Sequence, residues 1–203
     1  MPPRPDAPTP TRLRPAAFLD RDGTLNVDSG FPASLDEIVY LPGVERAVAR
    51  LNDLGLPVIV ITNQSGVARG YFPESAVTAI HAGMAAHFAA AGARIDAFYF
   101  CPHYPSGSIP EYARRCDCRK PGPGLYLRAA AEHGIDLARS FMVGDKYSDV
   151  EGGKRLGMAS LLVRTGVGVA QHERYGGDDT RLQPDAVVDD LPAAVEWIAD
   201  RLG

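Results

Sequence analysis

The sequence predicts an α/β fold in which a doubly wound, Rossmann-like parallel sheet carries helices on both faces. Short apolar runs alternate with amphipathic helical patterns along the chain, which is the rhythm of successive βαβ units. The run from Pro57 to Ile61 is rich in β-branched residues, as in strands that are buried on both faces. Aspartate or threonine follows or ends three of the apolar runs, and ligands bind at that edge of such sheets.

Each element has its own local signal. Apolar runs predict six strands, at residues 16–19, 57–61, 95–100, 140–143, 160–164 and 186–188. Apolar residues at helical spacing predict five helices, at residues 44–54, 73–92, 122–133, 148–156 and 191–202. Pro73 suits the first turn of the second helix, which Gly92 ends, and Gly134 stops the third. The segment 166–183 is rich in glycine and contains a histidine, and it predicts an irregular surface loop.

Composition and charge exclude several classes of protein. Hydrophobic residues make up 45% of the chain and charged residues 23%, as in soluble globular proteins. The 21 basic and 25 acidic side chains give a net charge of −4, which argues against a nucleic-acid partner, because phosphate binding needs a basic surface. No apolar stretch approaches 18 residues, so neither a transmembrane helix nor a membrane partner is expected.

The chain divides into a short tail and one domain. Residues 1–15 contain six prolines and lack the apolar core of a signal peptide, which predicts a disordered N-terminal tail. Residues 16–203 have the length of a single domain. Three cysteines without a secretion signal indicate reduced thiols and a cytoplasmic protein. A compact single domain is compatible with a monomer.

The first chemical motif is Asp20-Arg21-Asp22-Gly23-Thr24, directly after a predicted strand. Two carboxylates two residues apart can point into one site, where they repel each other unless a cation binds. A bare pair of this kind fits equally well a polar strand end at which aspartate caps a turn. The glycine and threonine that follow, together with the motifs below, favour the cation site.

Other polar residues follow other predicted strands. Thr62 ends a β-branched run, and a hydroxyl followed by loop amides can hold an oxyanion. Asp145 follows another strand, and Asp149 lies four residues later at the start of a helix, where capping is the alternative role. Because the carboxyl ends of parallel strands meet at one edge of a sheet, we expect Asp20, Thr62 and Asp145 to converge.

Basic residues supply a third motif. Lys120 can approach an anion as a point charge, whereas the planar fork of Arg119 can grip one. Surface basic pairs are usually solvated, but this chain contains only three lysines: Lys120, Lys146 and Lys154. Two of the three lie inside motifs, which favours a specific role for Lys120 and Lys146.

The three cysteines of the chain lie in one cluster. Cys101-Pro102-His103 is followed, after twelve residues, by Cys116-Asp117-Cys118. Three thiolates and one imidazole form the closed tetrahedral ligand set of a structural zinc site, whereas a free buried cysteine is the alternative for any one of them. We therefore expect Zn²⁺ to pin the loop 101–118.

Four ordered motifs resemble those of the haloacid dehalogenase superfamily of phosphotransferases: Asp20-x-Asp22-Gly23-Thr24, Thr62-Asn63, Lys120, and Gly144-Asp145-x-x-x-Asp149. Within it the chain is similar to the zinc-containing D,D-heptose 1,7-bisphosphate phosphatases. The matching segments are FLDRDGTLNVD, ITNQSGVARGYF, CPHYP, CDCRKPGPG and VGDKYSD. The likeness extends from about Ala16 to the last helix and leaves the proline-rich tail outside.

The resemblance implies a mechanism. Asp20 would attack phosphorus and form an aspartyl-phosphate, and Asp22 would serve as the general acid and then the general base. Thr62 and Lys120 would stabilise the phosphoryl oxygens. Catalytic Mg²⁺ would be held by the Asp20 carboxylate, the Asp22 carbonyl oxygen and Asp145, with Asp149 close by.

The resemblance also implies the substrate-binding residues and the substrate. The family positions map onto Asp28, Ser29, Gly30, Phe31, Asn63, Gln64, Ser65, Arg119 and Lys146. Arg119 suits the distal phosphate, because a forked donor can grip it. The implied reaction is removal of the C7 phosphate of D-glycero-D-manno-heptose 1,7-bisphosphate, in ADP- or GDP-heptose synthesis for lipopolysaccharide core or a surface glycan.

The gaps between motifs leave no room for a large cap domain. About twenty residues separate Asp22 from the helix at 44–54, and the longer interval before Lys120 is filled by a helix, a strand and the zinc loop. Specificity is therefore expected from a flap at residues 27–40 and from the zinc loop. Zinc would order the segment that delivers Arg119 and Lys120.

Three alternatives remain for the function. Histidinol-phosphate phosphatase shares the aspartate and zinc motifs, but the long 104–115 loop and the NQSGVARG segment favour the heptose bisphosphate. A phosphatase of nucleic-acid ends would need a basic track, against which the net charge counts. A non-catalytic zinc scaffold is disfavoured by the intact Asp20, Asp22, Lys120 and Asp145. The preferred anomer at C1 stays open.

Overall fold

In the described part of the chain, the sheet has six parallel strands. In the computed structural model, which describes residues 13–203, the strand order is β3-β2-β1-β4-β5-β6. The strands are β1 (Ala17–Leu19), β2 (Val58–Asn63), β3 (Ala97–Cys101), β4 (Phe141–Gly144), β5 (Ala159–Val163) and β6 (Ala186–Val188). The predicted parallel sheet is confirmed, and its order reverses beside β1, which is where such sheets open a crevice for ligands.

Within residues 13–203, six α-helices connect and cover the strands. They are α1 (Val44–Asp53), α2 (Glu74–Ala90), α3 (Gly124–His133), α4 (Tyr147–Lys154), α5 (Gly168–Tyr175) and α6 (Leu191–Leu202). Two short 3₁₀ turns lie at Leu35–Glu37 and Leu137–Arg139. Five of the helices match the predicted ones.

The prediction of an irregular loop over 166–183 is wrong, because α5 lies within it. The local sequence has little helical signal, and tertiary contacts supply the order instead. Gly168 lies so close to β5 that an added Cβ would be 1.7 Å from the Val163 carbonyl oxygen. Tyr175 packs on Tyr147 with ring centroids 5.3 Å apart, and Gln171 accepts a hydrogen bond from the Tyr147 N–H.

Side chains alternate between two cores, as expected for a doubly wound sheet. Ala17 and Leu19 face a core that includes residues of α1, α2 and α6, whereas Phe18 faces a second core with residues of α3. All three side chains are fully buried. The short strand β1 is therefore held from both faces, which fixes the residues that follow it.

No cap domain is inserted in residues 13–203. The interval between β1 and α1 contains only a 3₁₀ turn and isolated bridges that join Asn26 to Asp22 and Tyr40. The interval between β2 and α3 contains α2, β3 and the loop 102–117. The open architecture expected from the motif spacing is confirmed.

The predicted tail lies mostly outside the described part of the chain, which begins at residue 13. At its end, the Arg14 N–H donates to the Gly134 carbonyl and the Arg14 carbonyl accepts from Asp136. The division into tail and domain stays a prediction. Within residues 13–203, no helix combines the length and apolar character that crossing a bilayer would require.

Candidate active site

Three carboxylates meet at the carboxyl edge of the sheet. Asp20 directly follows β1, where its N–H donates to the Val143 carbonyl of β4 at 2.9 Å. Asp145 follows β4, and Asp149 lies in the first turn of α4. Oxygens of these three side chains lie within 4.8 Å of one another, and all three residues are buried. The structure thus brings together the strand ends as the parallel topology predicts.

The carboxylate set fits a divalent cation. Burial, and to a smaller extent the charge of Asp20, raises the pKa of Asp145 to about 7. Burial also raises the pKa of Asp149 to about 6, although the positive charge of Lys120 acts in the opposite direction. Asp145 Oδ2 accepts a hydrogen bond from the Val167 N–H, but its buried Oδ1 has no hydrogen-bond partner among the described residues. Crowded carboxylate oxygens, one of them without a hydrogen bond, suit Mg²⁺, which prefers oxygen ligands.

Gly23 allows the first motif to approach Asp145. Its φ of +87° belongs to the left-handed region, and an added Cβ would lie 2.2 Å from Asp145 Oδ2. The Gly23 carbonyl accepts a hydrogen bond from Thr165 Oγ1 at 2.6 Å. The glycine of the motif therefore packs the turn directly against the carboxylate.

We expect Gly23→Ala to abolish Mg²⁺-dependent activity and to lower stability more than Gly55→Ala. Gly55 has a similar φ of +77° but nothing within 4 Å of an added Cβ, so its variant should lose only the ~1–2 kcal/mol of left-handed strain. Thermal unfolding with and without Mg²⁺, together with kcat, measures the difference. Equal behaviour of the two variants would show that the contact with Asp145 is unimportant.

Lys120 neutralises part of this cluster. Its Nζ lies 2.8 Å from Asp20 Oδ1, 2.6 Å from Asp149 Oδ1 and 2.7 Å from the Ile61 carbonyl oxygen. Burial would lower the pKa of Lys120, but the two carboxylates raise it above its usual range, so the ammonium is charged. Asn63 fixes its backbone, accepting from the Lys120 N–H at 3.0 Å and donating to its carbonyl at 3.2 Å.

We expect Lys120→Met to lower the free energy of unfolding by about 3–5 kcal/mol in Mg²⁺-free buffer, because it leaves buried carboxylates without their cation. The matched control is Lys154→Met, which removes the half-exposed pair with Asp185 and should cost at most about 1 kcal/mol. Urea denaturation measures both. Similar losses in the two variants would contradict this account of Lys120.

A separate network holds Asp22. Arg21 donates from Nε and Nη2 to the two Asp22 oxygens at 3.0 and 2.9 Å. Asn26 donates to Oδ1 at 3.0 Å, and Gln64 donates to Oδ2 at 2.8 Å and also to Thr62 Oγ1 at 2.9 Å. These four donors fix the carboxylate two residues after Asp20.

Arg21 is itself fully buried, and His81 lies behind it. Arg21 Nη1 is 3.4 Å from His81 Nε2, and the imidazole stacks on Phe98 with centroids 4.7 Å apart. Burial, helped by the charge of Arg21, lowers the pKa of His81 to about 3. The imidazole is therefore neutral at physiological pH and can accept a hydrogen bond from the guanidinium.

A cavity of about 410 Å³ opens over the carboxylates. Its lining comprises Asp20, Asp22, Asp28, Gly30, Phe31, Thr62, Asn63, Ser65, Arg119, Lys120, Lys146 and Ser148. Two predicted substrate contacts, Ser29 and Gln64, are not part of this lining, and the Gln64 amide is already bound to Asp22 and Thr62. A larger groove of about 740 Å³ lies beside β3 and contains none of the clustered aspartates, so the smaller cavity is the candidate site.

Lys146 joins the flap to α4 at the cavity wall. Its Nζ lies 3.0 Å from Asp28 Oδ2 and 3.5 Å from Asp145 Oδ1. Burial would lower the pKa of Lys146, but Asp20 and Asp145 raise it well above its usual range. Asp28 Oδ1 in turn accepts from the Gly30 N–H, which shapes the flap.

The cysteines and His103 form a compact cluster. The three Sγ atoms lie 3.2–3.5 Å apart, and His103 Nδ1 is 3.2 Å from Cys118 Sγ. Burial raises the pKa of the Cys101 and Cys118 thiols above their usual range, a cost that a metal offsets by binding thiolates. Three sulfurs and one imidazole nitrogen within contact of one another fit a tetrahedral Zn²⁺.

Known proteins resemble this chain over most of its length. A family model described as HAD-hydrolase-like matches residues 117–194. A D-glycero-beta-D-manno-heptose-1,7-bisphosphate 7-phosphatase of Yersinia pestis is 41% identical over 169 residues, which are 83% of this chain and 90% of the relative. A D-glycero-D-manno-heptose-1,7-bisphosphate 7-phosphatase of Thermosynechococcus vestitus is 44% identical over 193 residues, 93% of this chain and 97% of that one. The chain belongs to this family of heptose bisphosphate phosphatases.

A solved structure of the heptose bisphosphate phosphatase family agrees with the fold. The crystal structure of D,D-heptose 1,7-bisphosphate phosphatase from B. bronchiseptica, complexed with magnesium and phosphate, superposes with a TM-score of 0.80 at 38% identity. The superposition covers 92% of this chain and 99% of the B. bronchiseptica chain. The resemblance inferred from the four motifs and the haloacid dehalogenase type of sheet are both confirmed.

Several residues of the candidate site were not predicted from the sequence of this chain. Arg21 and Asn26 stand inside the first motif, and an arginine between two aspartates was a usable signal. Ser148 stands inside the last motif. His81 gave no signal, because nothing in the sequence of α2 reveals that it packs behind Arg21.

Proposed function

We propose that this protein removes the C7 phosphate of D-glycero-D-manno-heptose 1,7-bisphosphate through an aspartyl-phosphate on Asp20. The observation that carries the proposal is a single cavity lined by Asp20 and Asp22 together with Arg119, Lys120 and Lys146. Family membership supports a phosphatase, and a cavity lined by these cations suits a substrate with two phosphates.

Asp20 is oriented for attack on phosphorus. Arg21 donates its N–H to Asp20 Oδ1 at 2.7 Å, and Lys120 contacts the same oxygen. Both restraints leave the second carboxylate oxygen available as the nucleophile. The bond from Asp20 to phosphorus forms while the bond from phosphorus to the C7 oxygen breaks.

Asp22 moves the protons. As a general acid it gives a proton to the departing C7 alkoxide, and as a general base it then takes a proton from the water that hydrolyses the aspartyl-phosphate. The products are inorganic phosphate, the dephosphorylated sugar and regenerated Asp20. Hydrogen bonds from Arg21, Asn26 and Gln64 fix the orientation of the Asp22 carboxylate for this role.

The remaining groups at the carboxylate edge balance charge on the transferring phosphoryl group. Thr62 and Lys120 donate to its oxygens from β2 and from the segment after the zinc loop. Asp20, Asp145 and the Asp22 carbonyl oxygen would hold Mg²⁺, which supplies Lewis-acid neutralisation of the phosphoryl charge when bound. Asp149 supports this set through its contact with Lys120.

The cavity wall selects the substrate. Arg119 would bind the distal phosphate at C1, while Phe31, Ser65 and Lys146 line the space for the sugar. Asp28, Ser29, Gly30, Asn63 and Gln64 complete the proposed substrate set. The activity belongs to ADP- or GDP-heptose synthesis for lipopolysaccharide core or a surface glycan.

The proposal also includes a structural zinc ion, a cytoplasmic location and a monomeric state. Zn²⁺ on Cys101, His103, Cys116 and Cys118 is structural, because the four protein ligands leave no open position for water. Thiolate ligands of this kind persist in a reducing compartment, which supports a cytoplasmic enzyme. The absence of a cap over residues 13–203 is compatible with a monomer.

Steady-state kinetics tests the substrate. We expect kcat/KM for one or both anomers of the heptose bisphosphate to exceed that for histidinol phosphate by at least about 100-fold, because histidinol phosphate has no distal phosphate for Arg119. A preference for histidinol phosphate would overturn the substrate and leave the aspartyl-phosphate chemistry in place.

A further inference from the structure

We infer that Arg69 is a second guanidinium for the distal phosphate, acting beside Arg119, an inference that rests on the proposed function. Arg69 lies in the loop after β2, and its N–H donates to the carbonyl of Ser65, a residue of the cavity lining. Its guanidinium carbon is 4.1 Å from the centroid of the Tyr104 ring and 5.6 Å from that of Phe31. Phe31 and Ser65 both line the cavity, so Arg69 lies directly behind two of its lining residues.

The positive charge of Arg69 is not neutralised by a carboxylate within the described residues. Its buried Nε has no hydrogen-bond partner there, and no carboxylate oxygen of residues 13–203 lies within 4.0 Å of the guanidinium. Arg119 likewise has no such ion pair and donates from Nη1 to the His103 carbonyl. Lys120 and Lys146 differ, since both contact carboxylates.

The two unneutralised arginines share one aromatic ring. The guanidinium carbon of Arg119 is 5.4 Å from the Tyr104 centroid, on the same ring that Arg69 approaches at 4.1 Å. Like charges that share one aromatic ring repel each other, and an anion that contacts both of them reduces the repulsion. A phosphate monoester carries a charge of about −1.5 to −2 at pH 7, which one arginine cannot balance and two can.

The position of Arg69 is fixed by the loop that carries Arg119. Ser108 Oγ donates to the Arg69 carbonyl at 2.7 Å, and the Ile109 N–H donates to the Ala68 carbonyl at 3.0 Å. Both contacts come from the loop 101–118, which ends one residue before Arg119. The two guanidinium groups are therefore held relative to each other before substrate binds, which lowers the entropic cost of gripping a phosphate.

The test compares two substrates in one preparation: the heptose 1,7-bisphosphate and the heptose 7-phosphate, which lacks the distal phosphate. We expect Arg69→Met to lower the ratio of kcat/KM for the bisphosphate to that for the monophosphate by about 10- to 100-fold, mainly through KM. Arg69→Lys, which keeps the charge but loses the fork, should lie between Met and wild type. Partial misfolding cancels in this ratio, because it affects both substrates equally.

Arg201→Met is the matched control. Arg201 stacks on Trp197 in α6, with its guanidinium carbon 3.5 Å from the ring centroid, and α6 contributes no residue to the cavity lining. Its ratio should equal that of the wild type. An unchanged ratio in Arg69→Met, or an equal loss on both substrates, would overturn the role of Arg69. Failure of the wild type to hydrolyse the bisphosphate would instead overturn the proposed function.

Discussion

Asp20→Asn should reduce kcat at least ten-thousand-fold (~10⁴), because the amide cannot form the covalent phosphoryl intermediate. The variant should remain folded. It removes one of three crowded buried carboxylates, and Lys120 keeps its contact with Asp149 at 2.6 Å. Phosphate release with the heptose bisphosphate measures kcat, and thermal unfolding measures stability.

Asp200→Asn is the control for this substitution. Asp200 lies on the exposed side of α6, so the same chemical change there should leave both kcat and the melting temperature as in the wild type. An Asp20→Asn variant that kept more than about one per cent of wild-type kcat would show that Asp20 is not the nucleophile. It would also revive the alternative of a non-catalytic zinc scaffold, for which Asp20 has no importance.

Loss of zinc should lower kcat/KM by about 100-fold or more and should also lower the melting temperature. The loop 102–117 contains no helix or strand, and its ends are Cys101 in β3 and Cys118, two residues before Lys120. Zinc would therefore tie the segment of Lys120 and Arg119 to the end of β3. A displacement of about 1 Å in such groups is enough for an effect of this size.

Cys116→Ser tests the zinc site at a ligand cysteine that lies four residues before Lys120. The zinc content, kcat/KM and thermal unfolding are measured in this variant, and in wild-type protein stripped with a chelator and then reloaded with Zn²⁺. Reloading should restore kcat/KM in the wild type and not in the variant. A folded, zinc-free protein with full kcat/KM would show that zinc does not position Lys120.

The strand ends could be predicted from sequence, because topology alone places them. Asp20 and Asp145 follow neighbouring parallel strands, and a parallel sheet has its carboxyl ends at one edge. The start of α6 could also be predicted from the local sequence, where an aspartate precedes a proline in the first turn. The Asp190 side chain caps the helix by accepting a hydrogen bond from the Ala193 N–H.

The partners of each side chain could not be predicted in the same way. Gln64 stands in a motif associated with substrate, yet its amide is bound to Asp22 and Thr62. His81 reaches Arg21 across sixty residues of sequence, and only the packing of α2 on the sheet brings them together. Such contacts depend on loop paths and helix rotation, which apolar periodicity does not encode.

The helix α5 was missed for a related reason. Its eight residues include a first-position glycine, and their order comes from contacts with β5 and Tyr147 rather than from helical propensity. A segment whose structure is imposed by its neighbours has no strong local signal in the sequence.

We expect this enzyme to remove the phosphate at C7 and to keep the one at C1. Phosphorus NMR of the product formed from D-glycero-D-manno-heptose 1,7-bisphosphate tests it most directly. The C7 phosphate resonance should disappear, inorganic phosphate should appear in equal amount, and the C1 phosphate resonance should persist. Loss of the C1 resonance with retention of C7, or no release of phosphate at all, would contradict it.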